Sequence, residues 1–182
     1  MKRIQLEEII AQNRVNTLLF VPFVIYRLTN RPTVNQATLM VTLLDVLPEP
    51  EMTTELTLVW EPSSRVASFP VQEKLITELA ACGIAAVLLP LYTRYQIWQV
   101  TQAGDGFDYW VSDGKQELGL EVSGTLEHNL WQRHRSKIRQ YEQARGSVDG
   151  YVCVTGFHPK ESHFIFSSRE QIRSTGYGYP TC

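Results

Sequence analysis

The chain has 182 residues, 43% of them apolar and 20% charged, with a formal net charge of −2. That balance belongs to a soluble globular protein with one good core, and it excludes a disordered chain and a protein that coats nucleic acid with its whole surface. Three cysteines without close spacing, Cys82, Cys153 and Cys182, exclude a CxxC-type structural zinc site; Cys82 and Cys153, inside apolar runs, read as buried thiols.

The opening MKRIQLEEII carries acids where a signal peptide needs an apolar stretch, and the longest apolar runs, around 18–25 and 84–91, fall short of the roughly 20 residues that span a bilayer. The expectation is a cytoplasmic protein with no membrane association. Residues 6–13 are expected as a short helix. Three strand-like stretches follow at 17–28, 37–46 and 55–60, separated by Asn30-Arg31-Pro32 and the proline-acid loop at 47–51. Residues 1–65 therefore read as an N-terminal antiparallel β annex.

From residue 66 the pattern changes to an α/β core, expected to run to 173, with a loose tail at 174–182. Leu75, Ile76, Leu79, Ala80 and Cys82 have helical spacing. That helix ends at Gly83 or runs on to Leu89, with Pro90 as its limit. Strands are expected at 95–101, 107–111 and 117–123, the last two forming a hairpin around Asp113-Gly114. A polar helix over 126–145, stopped by Gly146, leads to an apolar strand at 151–155, and 163–166 is expected to add an edge strand. The fold class is thus α+β, a mixed sheet flanked by helices.

Asp108 opens the first hairpin strand and Glu121 lies toward the end of the second, so the hairpin makes them cross-strand neighbours. Alternation puts Glu121 and Ser123 on one face. A carboxylate between Leu120 and Val122 is costly unless it is paired with a cation or binds a metal. Two such carboxylates suit a hard divalent cation, Mg²⁺ or Mn²⁺, which lowers the pKa of a bound water and stabilises charge on a phosphoryl group.

The stretches Gly106-Phe107-Asp108-Tyr109-Trp110 and Leu118-Gly119-Leu120-Glu121-Val122-Ser123-Gly124-Thr125 resemble the core of the PD-(D/E)XK nucleases. The resemblance covers a little under half of the chain. It implies a restriction-endonuclease-like sheet, metal binding by Asp108 and Glu121, and hydrolysis of phosphodiester bonds. It also implies a third acid from the first helix, Glu78 or, second, Glu73. The departure is Ser123, which stands where the motif has lysine and whose hydroxyl is a candidate to position the attacking water, though it brings no positive charge. Lys137, on the following helix, is the first candidate to reach back, and Lys115, in the turn, the second.

That following helix carries Arg133, Arg135, Lys137, Arg139 and Arg145 against Glu127 and Glu142, five positive charges against two, on an acidic chain. In the resembled fold it lies beside the site, so Arg133, Arg135, Arg139 and Gln140 are candidates to contact the DNA or RNA backbone. Leu130, His134, Ile138 and Tyr141 form its packed stripe. The four histidines show no ligand-like pairing, and no GxxxxGK[ST], GxGxxG or GxSxG motif occurs. The alternative is an inactive nuclease-fold protein that acts as a binding or assembly partner, with the β annex docking another protein.

Overall fold

The computed structural model describes residues 2–29, 33–64, 68–144 and 148–168. The chain first forms β1 (Lys2–Gln5), α1 (Leu6–Ile10) and a 3-10 turn (Thr17–Phe20) leading into α2 (Val21–Leu28). Then come β2 (Gln36–Leu44), β3 (Glu51–Val59), α3 (Glu73–Tyr92), β4 (Gln96–Val100), β5 (Tyr109–Ser112) and β6 (Glu117–Thr125). The last elements are α4 (Leu130–Gln143), β7 (Gly150–Gly156) and β8 (Glu161–Ser167). All eight strands join one mixed sheet in the order β1-β3-β2-β8-β7-β6-β5-β4. With the four α-helices this is a mixed α/β fold.

Three expectations change. Residues 17–28 are helical, although their Leu, Phe, Val and Ile content suggested a strand. Phe20, Val21, Val24, Ile25 and Leu28 are buried at helical spacing, and Pro22 sits in the first turn, where a missing N–H costs nothing. Residues 1–65 contain the expected antiparallel pair, β2 with β3, but it is not a separate sheet. Their strands continue the common sheet, with β1 parallel to β3 and β2 parallel to β8. The strand around 163–166 is therefore no edge: β8 lies between β2 and β7. The tail at 174–182, Arg145 and Gly146 lie outside the described residues.

Helix α3 runs through both Gly83 and Pro90. At Gly83 a side chain would strike Val24 Cγ2, so glycine is what lets α2 cross α3 closely. Pro90 has no N–H to offer the Ala86 carbonyl one turn back. Asn13 supplies the missing donor: its Nδ2 meets that carbonyl at 2.9 Å. The same amide group also donates to the Ile10 carbonyl, and its Oδ1 accepts from the Ile97 amide, at 3.0 and 2.9 Å. One buried side chain thus ties α1, α3 and β4 together. By length and composition α3 is apolar enough to cross a membrane, but 61% of its most apolar stretch is buried within the fold.

The sheet separates two unlike layers. Leu118, Leu120 and Val122 of β6 face the large core shared with α1, α2, α3, β2 and β3. The alternate residues Gly119, Glu121 and Ser123 face α4, which packs on a small cluster including Phe107, Tyr141, Val152 and Val154.

Candidate active site

The β5–β6 ladder pairs Tyr109 with Leu120, and the Asp108 amide extends it by donating to the Leu120 carbonyl at 3.0 Å. Asp108 itself lies just before β5, close enough to Glu121 and Lys137 for charge to act between them. Glu121 lies on the face covered by α4. The Val122 amide donates to Asp108 Oδ2 at 2.8 Å and fixes the carboxylate against β6. Asp108 stands at the solvent-exposed rim, whereas Glu121 is 2% exposed.

Helix α4 brings two cations to this face one turn apart. Lys137 Nζ lies 2.7 Å from Glu121 Oε1 and 3.1 Å from Gln140 Oε1. Arg133 Nε donates to Ser123 Oγ at 2.9 Å, and its terminal nitrogen lies 3.5 Å from Glu78 Oε1. From the other layer α3 presses close enough to β6 that a side chain at Gly124 would collide with the Thr77 carbonyl. That approach lets Glu78 Oε2 accept from the Gly124 amide at 3.0 Å. Asp108, Glu121, Ser123, Glu78, Arg133 and Lys137 are therefore linked around two adjoining strands.

Three acids against two cations leave an excess of negative charge. Burial, then the neighbouring Asp108 charge, pushes the Glu121 pKa up to about 6, against the pull of Lys137. The protein packed around Asp108 raises its pKa as well, while the Val122 amide and Lys137 oppose the rise and Glu78 adds to it.

Hard-cation chemistry fits two carboxylates better than three here. Asp108 Oδ1 and Glu121 Oε2 accept no hydrogen bond from the described residues, so each acid keeps one free oxygen. Glu78 is engaged by Gly124 and Arg133, and no group of three His, Cys, Asp or Glu side chains among the described residues is placed to hold a metal ion. Mg²⁺ commonly binds through one or two carboxylates and completes its shell with water and substrate phosphate.

The other expected residues separate. Glu73 pairs with Arg27 on α2. Lys115 lies in the distant hairpin turn, where its amide donates to Asp113 at 2.9 Å. Arg135, Arg139 and Gln140 line an open cleft of about 720 Å³ with Gly106, Gln132 and Gln143, and the two arginines make no ion pair with a described residue. Arg133, expected on that outer surface, is turned inward toward Ser123 and Glu78. Its spacing from Lys137 was the available signal, since residues four apart on a helix share a face. The tie from Gly124 to Glu78 had no sequence signal beyond a glycine in a strand.

No protein-family model matches the chain, and neither does any curated protein or solved structure.

Proposed function

We propose that the protein is a Mg²⁺- or Mn²⁺-dependent nuclease of PD-(D/E)XK type, in which Lys137 takes the part of the lysine that Ser123 replaces. The observation that carries this reading is the Lys137–Glu121 contact at 2.7 Å, with Asp108 near enough for its charge to act on both. The order helix, three strands, helix, strand over 73–156 is also that of the resembled family's core.

Asp108 and Glu121 would hold the ion through their free oxygens; when bound, it supplies an acidified water and charge stabilisation for the phosphoryl group. Lys137 favours the ionised form of Glu121 and, with two N–H donors engaged, keeps a third for the attacking water or a phosphate oxygen. Arg133 anchors Ser123 and Glu78, which holds α3 and α4 in register over β6. Arg135 and Arg139 offer guanidinium groups to backbone phosphates of DNA or RNA, contacts that bind without reading sequence.

The inactive, partner-binding alternative has one observation in its favour: each acid already has a protein donor, and among the described residues no third ligand completes a cage. Mn²⁺ titration followed by electron paramagnetic resonance separates the two readings. The nuclease reading expects saturable binding that is lost in Asp108→Asn and in Glu121→Gln. A folded wild type that leaves Mn²⁺ free at millimolar concentration supports the alternative.

A further inference from the structure

Helix α4 is held down by few contacts. Its buried residues are Leu130, His134 and Tyr141, so a histidine occupies the middle of its packing stripe. His134 is 1% exposed, and neither ring nitrogen has a hydrogen-bond partner among the described residues. Buried polar atoms are nearly always paired, so this pair of vacancies calls for a cause.

His134 faces a second buried histidine. His163 of β8 meets it edge-on, with ring centroids 5.1 Å apart. His163 Nε2 lies 2.9 Å from Glu161 Oε1, while its Nδ1 has no partner. Trp131 covers His163 from outside, with centroids 4.2 Å apart, yet remains 46% exposed itself.

The titratable and charged groups around His134 can be taken element by element. β8 contributes His163 and Glu161, and Glu161 is engaged with His163. β7 presents Val152 and Val154, which carry no charge. β6 presents Glu121, engaged with Lys137. On α4 itself Arg133 and Lys137 turn toward the candidate site and Arg135 toward the outer cleft. Among the described residues no free carboxylate stands ready to receive a cation on His134.

We propose that His134 is a proton-operated release for α4. Neutral, it lets the helix dock and hold Arg133 and Lys137 against Ser123 and Glu121. Protonated, it favours a form in which α4 lifts from the sheet and the imidazolium reaches water, dismantling the site. The inference does not depend on the nuclease reading.

Burial, reinforced by His163, pushes the docked His134 pKa down to about 3. Once released, the imidazole returns to its ordinary value of about 6.5. Between those values the released form binds more protons than the docked one, so docking is complete above about pH 6.5 and weakens as the pH falls. Each pH unit below about 6.5 favours release about tenfold.

The test is backbone amide exchange in the intact protein at about pH 7.5 and about pH 5, corrected for the intrinsic rate. Protection across α4 is expected to fall several-fold at the lower pH, less than the roughly 30-fold of His134 alone because protonation of Glu121 favours the docked form, with α3 unchanged, and His134→Leu should abolish the fall. In parallel, the wild-type His134 ring is titrated by NMR, which decides the matter even if the leucine variant does not fold. The proposal is overturned if α4 keeps its protection at low pH, or if α3 loses protection together with it. It is equally overturned if the fall persists in a folded His134→Leu, or if the ring titrates near 6.5 while α4 stays protected.

Discussion

The two faces of the sheet are built on different terms. Under α1, α2 and α3 the contact is apolar and continuous, with residues such as Leu58, Ile84 and Leu88 fully buried. Under α4 the buried set includes Glu121, Ser123 and His134, and the apolar cluster is small. One face supplies enough burial for the other to carry charges that a lone core would reject. Apolar burial and buried charge are divided across this sheet, and each can be perturbed separately.

The largest effect on stability should come from the apolar face. Leu88→Ala leaves a cavity in the wholly buried part of α3 and should cost about 2–5 kcal/mol in urea unfolding. Asn13→Ala should follow at about 2–3 kcal/mol, because it strands the Ala86 carbonyl opposite Pro90 and the Ile97 amide together. A cost under about 0.5 kcal/mol for either change would show that this face is not the one that holds the fold.

The α4 face should respond in the opposite sense. Glu121 has its pKa raised to about 6, above its ordinary value of 4.5. The folded state therefore holds more protons than the unfolded state between those values, so this group costs nothing below about pH 4.5 and lowers stability as pH rises through about 6. Glu121→Gln removes that cost and should raise stability at neutral pH by about 1 kcal/mol, allowing for the lost pairing with Lys137. Unfolding curves near pH 4 and pH 7.5 would expose the difference, and a variant less stable than wild type at both would contradict it. The smallest effect is expected at the outer cleft. Replacing Arg135 and Arg139 with alanine should leave the unfolding midpoint nearly unchanged, while reducing the salt slope of oligonucleotide binding by about 2.

Much of this division was legible in the sequence because alternation along β6 is unambiguous. Leu118, Leu120 and Val122 against Gly119, Glu121 and Ser123 sorts one strand into an apolar side and a side that carries its polar residues. The hairpin turn at Asp113-Gly114 put Asp108 near Glu121, and the reach of Lys137 followed from its place on the next helix. What escaped was long-range. The helical spacing of Phe20, Val21, Val24, Ile25 and Leu28 was there to read, but the β-branched and aromatic composition of 17–28 pointed to a strand, and nothing local announced the packing against Gly83. The rescue of Pro90 by Asn13 joins residues 77 positions apart in sequence, the distance from 13 to 90. His134 read as an ordinary stripe residue, since the absence of partners for its nitrogens is a property of the packed interface.

The central claim is that Lys137 supplies, from α4, the cation that Ser123 does not. It is tested most directly by nucleic-acid cleavage with Mg²⁺ or Mn²⁺, comparing wild type, Lys137→Ala and Lys115→Ala on DNA and RNA. The account predicts metal-dependent cleavage by wild type, a loss of about 10²–10³-fold in Lys137→Ala and no loss in Lys115→Ala. A folded wild type that cleaves neither substrate with either ion, or a Lys137→Ala variant as active as wild type, would contradict it.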